Sequence, residues 1–309
     1  MHGAPVQFLS PPGALGLTLK SLFDRRPRRL VPGSVAPALR ATAGAANPDR
    51  RRLAAYREVC GLPQDDRLPV TWPHVLCGGL RLALLLQPSF PVRLPGLVHL
   101  SHRIEQLAAL DAGATLAFDC RLEGSRPTER GDEFLLATSA SAGGRVAWRE
   151  TMTFVVPARR ARPPPPPRLP LPPVLAEWDA PADVGRRYAR VSGDWNPIHL
   201  AGFLARRFDF PGAIAHGMWS LARCRSALPG PDGAGARLEA RFLRPLALPG
   251  RVRLHVGPGE AAGTTAFWLV SVDDETPHLR GQWRPGGACD EPVLRRDGWT
   301  GVVGGAGVT

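Results

Sequence analysis

Hydrophobic and polar positions follow the same order twice along this chain. In the first half an apolar run at residues 75–86 (VLCGGLRLALLL), opened by Pro73-His74, is long enough for a buried helix. Strand-like runs follow at 98–104, 115–122, 133–139 and 145–156, parted by turn signals such as Asp111-Ala112-Gly113 and Gly143-Gly144. A further short strand is expected at 68–72. In the second half, residues 181–191 are helical in character, 201–208 form a short helix, and 213–228 form an apolar helix stopped by Pro229-Gly230. Strand-like runs then return at 237–242, 250–256, 264–272 and 278–283. A buried helix followed by strands, met twice, predicts two copies of one α+β unit, although sequence similarity between the halves is slight.

The segments around these units carry weaker patterns. Residues 1–52 read as an N-terminal arm, partly irregular, with a cationic cluster at 24–30 (DRRPRRL). Residues 158–173 (ARRARPPPPPRLPLPP) read as a stiff polyproline-type spacer, so the linker is placed at 158–176. The units then occupy 53–157 and 177–286, and 287–309 is a loosely held tail.

Composition narrows the choices. The 309 residues suffice for roughly two domains with real cores. The net charge of +12 invites a nucleic-acid reading. However, Lys20 is the one lysine among 39 basic residues, the mark of arginine-biased composition, and no interleaved aromatics or recognised nucleic-acid module accompany it. A positive field suited to an anionic substrate remains compatible with the charge. No window of about 18 uninterrupted apolar residues predicts a membrane span, and the first twelve residues lack a secretory pattern. Cys60, Cys77, Cys120, Cys224 and Cys289 are scattered without metal-ligand spacing, as buried fillers in a reducing cytoplasm would be. No G-x-S-x-G elbow supports a serine hydrolase, and the glycines at 301–307 precede no helix that would make them a dinucleotide loop.

Candidate chemistry concentrates at residues 188–219 (YARVSGDWNPIHLAGFLARRFDFPGAIAHGMW). Asp194 and His199 stand five positions apart, and Pro197 turns the chain between them, so an acid and an imidazole can face one pocket. Such a pair can hold one water, take a proton from it and pass a proton on. Pro211-Gly212 and His216-Gly217 flank the start of the apolar helix, where a glycine exposes a free N–H at the positive end of the helix dipole that can hold an oxyanion. Singly these features are common; their combination and separation are specific.

The run Ser192-Gly193-Asp194-Trp195-Asn196-Pro197-Ile198-His199, followed by Ala215-His216-Gly217-Met218, closely resembles the MaoC-like (R)-specific enoyl-thioester hydratase/dehydratase family over residues 181–283. The resemblance implies the hot-dog fold, an antiparallel sheet wrapped around a central helix. The whole chain resembles the longer double hot-dog members, with 53–157 as a degenerate, acyl-chain-binding copy and 177–286 as the catalytic one. It further implies Asp194 and His199 as catalytic residues and the Gly217 N–H as oxyanion donor. Asn196, Ser192, Gly193, Tyr188 and His216 fall at supporting positions. The implied reaction is reversible hydration of a 2-enoyl thioester of CoA or acyl carrier protein, with no metal or redox cofactor. A monomer of two hot-dogs and a homodimer are both compatible with it. A hot-dog thioesterase and a partner-binding protein with a dead site are the alternatives.

Overall fold

A computed structural model describes residues 5–46, 49–158 and 171–287. Among these residues eleven strands form one sheet. In the first half the elements are β1 (Val6–Phe8), α1 (Ala14–Leu22), β2 (Leu39–Ala46), α2 (Arg50–Cys60), α3 (Trp72–Leu76), α4 (Gly78–Leu85), β3 (Val98–Gln106), β4 (Leu116–Thr128), β5 (Gly131–Ala142) and β6 (Arg145–Pro157). In the second they are β7 (Val174–Ala180), α5 (Val184–Ser192), a 3-10 turn (Pro197–His199), α6 (Gly202–Arg206), α7 (Gly217–Ala227), β8 (Arg237–Phe242), β9 (Gly250–Pro258), β10 (Thr265–Ser271) and β11 (Pro277–Arg284).

The order across the sheet is β1-β2-β4-β5-β6-β3-β8-β11-β10-β9-β7. Apart from β1, the two halves have the same strand order when each is read from its outer edge inward. They meet where β3 pairs antiparallel with β8, in the register Ser101↔Arg241, Arg103↔Glu239 and Glu105↔Arg237. Helices α4 and α7 lie against the sheet, one in each half. Leu80 and Leu84 of α4 and Leu221, Ala222 and Cys224 of α7 are fully buried, within a core continuous across both halves. This is a double hot-dog, of class α+β.

Four segments differ from the sequence expectation. In the 1–52 arm, expected to be partly irregular, β2 pairs with β4, and α2 begins at Arg50, across the expected 52/53 boundary. The strand LRATAGAA is built largely of small residues, so it carries little hydrophobic signal; its place is set by pairing. Helix α2 is set by its ends, Asp49 accepting from the N–H groups of Arg51 and Arg52 and Gly61 closing it at φ 63°.

The expected helix at 75–86 is two pieces, broken at Cys77. A side chain at Gly79 would begin 1.7 Å from the Pro12 carbonyl oxygen, so the arm crosses the helix where only glycine fits. Residues 68–72 form a packed turn rather than a strand, with Pro69 O accepting from Trp72 N at 2.8 Å. Finally, β7 occupies the end of the expected 158–176 linker and pairs with β9. Of that linker, 159–170 lie outside the described residues, as do 288–309 of the tail and Cys289.

Candidate active site

The loop that follows α5 is built by local hydrogen bonds. Gly193 takes the left-handed conformation, φ 80°, and its N–H donates to Ala189 O at 2.8 Å, ending the helix. Asp194 N donates to Ser192 Oγ at 3.1 Å, Asn196 N to Asp194 Oδ1 at 3.1 Å, and Ile198 N to Asn196 Oδ1 at 3.4 Å. Ser192 and Asn196 thus brace the turn. Pro197 then starts the 3-10 turn that delivers His199.

Two other segments fix His199. Its Nδ1 lies 2.8 Å from the Ile214 carbonyl. A carbonyl only accepts, so Nδ1 carries the proton and Nε2 keeps its lone pair. The His199 carbonyl packs so tightly on α5 that a Cβ at Gly185 would sit 1.9 Å from it. Neither Ile214 nor Gly185 stood out in the sequence; a backbone carbonyl and a close approach have no residue signature at long range.

The expected residues come together. His216, the residue before α7, donates through Nε2 to the Asp194 carbonyl at 3.0 Å, which seats the loop at the N-terminus of α7. Its ring stacks on His199 with centroids 3.7 Å apart, and on the other side meets Tyr188 at 4.8 Å. Tyr188 reaches Tyr56 at 6.1 Å, and Tyr56 reaches Trp72 at 4.9 Å, so an aromatic column runs from the first half to His199. One candidate ligand atom from each of Asp194, His199 and His216 falls within a 4.8 Å group. Gly217 follows directly, and a Cβ there would approach the Phe242 ring to 2.9 Å.

The electrostatics suit proton transfer. The Asp194 side chain is 54% exposed, while His216 is buried. Dehydration tends to raise the Asp194 pKa, but His216, His199 and the Asn196 N–H outweigh it and hold the carboxyl below its ordinary value. Burial lowers the His199 pKa against the pull of Asp194. It lowers that of His216 to about 3, with His199 adding to the effect. The pair therefore presents a carboxylate and a neutral imidazole at neutral pH.

A second acid–histidine cluster lies in the first half and was not singled out in the sequence. Glu150 on β6 accepts from His74 Nδ1 at 2.7 Å and from Arg81 Nη1 at 2.8 Å, and stands 3.1 Å from His102 Nε2. The Glu150 side chain is fully enclosed, so this cluster is closed to substrate. His74, His102 and Glu150 have the spacing of metal ligands, yet Arg81 already sets a cation against the carboxylate. Burial lowers the His74 pKa to about 4, with Arg81 adding to it and Glu150 opposing.

Comparisons with known proteins place the chain in a family. The family model for the MaoC like domain matches residues 167–256. The chain is 33% identical over 238 residues to 3-hydroxyacyl-thioester dehydratase X of Mycobacterium tuberculosis, covering 75% of this chain and 84% of the relative. The chain belongs to the MaoC-like dehydratase family. A crystal structure of HtdX of Mycobacterium tuberculosis superposes with a TM-score of 0.69 at 29% identity, covering 80% of this chain and 99% of that one. A second mycobacterial protein described as having a double hot-dog fold superposes at 0.51 and 13% identity, covering 82% and 96%, which supports the fold. Among the described residues of this MaoC-like chain, no helix is long and apolar enough to cross a membrane.

Proposed function

We propose that this chain catalyses the reversible addition of water to a (2E)-enoyl thioester, giving the (R)-3-hydroxyacyl thioester, in fatty-acid metabolism. The observation that carries the reading is the convergence of the Asp194 carboxylate and the His199 imidazole at the N-terminus of α7. One water can donate to both acceptors, the carboxylate and His199 Nε2, which leaves its oxygen lone pair free to attack the β-carbon. Asp194 takes the proton as the C–O bond forms. Negative charge develops on the thioester oxygen, where the Gly217 N–H stabilises it. The proton then passes from Asp194 to the α-carbon on the same face, with His199 orienting the water and helping the relay. Water is thus added in full, and the reverse sequence is dehydration. No step calls for a metal or redox group.

His216 orients this pair rather than reacting, since its ring is enclosed between Tyr188 and His199. In the first half, we assign the acyl chain to the α3–α4 segment, with its apolar side chains between Val75 and Leu86. The carrier is CoA or an acyl carrier protein.

The test is hydration of crotonyl-CoA followed by loss of the enoyl absorbance, with the configuration of the product determined. Asp194→Asn and His199→Ala should each lower kcat by about 10²-fold or more with the fold retained. Near-normal turnover in either variant removes that residue from the reaction. Release of free thiol in place of hydration would turn the reading to a thioesterase.

A further inference from the structure

The catalytic loop is gripped from the opposite half of the molecule. Helix α5 leaves carbonyls without intrahelical partners where it ends, immediately before Asp194. One of them, Val191 O, belongs to a buried residue and accepts from Arg52 Nε at 2.7 Å. Arg52 sits in the first turn of α2, on the other unit. The same guanidinium lies 3.7 Å, by Nη2, from where a side chain at Gly193 would begin, and 5.8 Å from the Trp72 ring centroid. A cation there also complements the negative end of the α5 dipole.

The backbone that carries Arg52 is fixed as well. Asp49 caps α2 and accepts from the Arg51 and Arg52 N–H groups, so the backbone that carries Arg52 is held at the helix start. Two further neighbours flank the same spot: Ala14 of α1 comes within 3.3 Å of the Gly193 Cβ position, and a Cβ at Gly78 of α4 would lie 3.9 Å from Ser192 O. Residues 191–193 are thus enclosed by α1, α2 and α4. Of these contacts, Arg52 makes the one directed hydrogen bond.

We infer that Arg52 is a positioning residue for the reaction, contributed by the unit that lacks the catalytic loop: its bond to Val191 O fixes the end of α5 and thereby the placement of the Asp194 carboxylate. The inference rests on the hydratase reading for its kinetic consequence but not for its structural one. Asp194 is three residues from the clamped carbonyl, and a displacement of about 1 Å at a reacting group can cost about 10²-fold in rate.

Two variants separate positioning from packing. Arg52→Met keeps an apolar stem against Trp72 and removes the donor. Arg52→Ala leaves space that methylguanidinium can enter. For Arg52→Met, kcat should fall about 10- to 100-fold, with KM for crotonyl-CoA changed less than about threefold. Amide hydrogen exchange should quicken across residues 189–196 and stay at the unaltered level in β3 and β8. Methylguanidinium should restore part of the kcat of Arg52→Ala and leave Asp194→Asn unaffected. Unaltered exchange at 189–196 in a folded Arg52→Met overturns the inference, as does a lowered Tm with kcat per folded molecule unchanged. If the unaltered chain does not hydrate enoyl thioesters, the functional reading fails instead, and the exchange measurement still decides the role of Arg52.

Discussion

Single residues here owe their chemical state to one partner each. The Ile214 carbonyl decides which His199 nitrogen is protonated, and the Asp194 carbonyl does the same for His216. Buried neutral histidines make stability depend on pH. His216 and His74 have folded pKa values of about 3 and about 4, below the unfolded value near 6.5. Their stabilising contribution is complete above about pH 6.5 and is lost as pH falls, because the unfolded chain then binds protons that the folded one does not. Each histidine loses its share progressively across that range. Glu150, held well below its ordinary value by Arg81 and His74 against the cost of burial, adds a loss in the same direction at still lower pH. Urea unfolding at pH 7 and pH 5 checks this: the midpoint should drop markedly, and equal midpoints would contradict the burial of these rings as neutral groups.

At the scale of elements, the close approach of α5 to the 3-10 turn makes Gly185 a sensitive position. A Gly185→Ala methyl would overlap the His199 carbonyl, so the turn must shift or α5 must tilt. Overpacking of this kind costs about 1–3 kcal/mol. The variant should show a lower Tm together with a loss of kcat, since the displaced residue is His199 itself; an unchanged kcat would show that the turn adjusts without moving the ring. Helix α4 offers a separate test. Leu82 is only half-buried, and trimming it should reduce turnover of long enoyl chains while short ones are spared. Equal losses for both lengths would assign α4 to scaffolding alone.

What could be read in advance differs by element for physical reasons. Strands β3 to β6 and β8 to β11 alternate large apolar and polar residues, which makes them legible, although β4 continues to Thr128, past its expected end at 122. Strand β2, made mostly of alanine and other small residues, and β7, adjoining a proline-rich run, gave no such contrast. The break at Cys77 was hidden because an apolar run does not reveal that residue 12 crosses it. The Asp194–His199 loop was legible because its bonds are local, within eight residues. The Ile214 anchor, the Arg52 clamp and the Glu150 cluster join residues 15 to 139 positions apart, and spacing alone carries no trace of them.

The whole molecule carries two units with identical strand order but only one Asp-x-Asn-Pro-x-His loop. The unit without the loop touches it through the aromatic column from Trp72 to His199 and through Arg52. It follows that a substitution in the first half can act on turnover with no contact to the substrate. The opposite end of the seam is tied independently: Asp232 accepts from Val70 N at 2.9 Å and from Arg225 Nε at 2.7 Å. Asp232→Ala should therefore reduce Tm while the kinetics of the folded fraction hold, which a thermal scan beside a kcat measurement would check.

Because β3 and β8 are hydrogen-bonded neighbours inside an uninterrupted sheet, the peptide link between the halves is not what keeps them together. Expressed as two separate polypeptides divided within 159–170, the fragments should recognise each other through five paired positions of backbone and a common apolar interior. Each alone would bare an open sheet edge and half of a core, a surface prone to aggregate. Mixed, they should reassemble the whole sheet as a heterodimer.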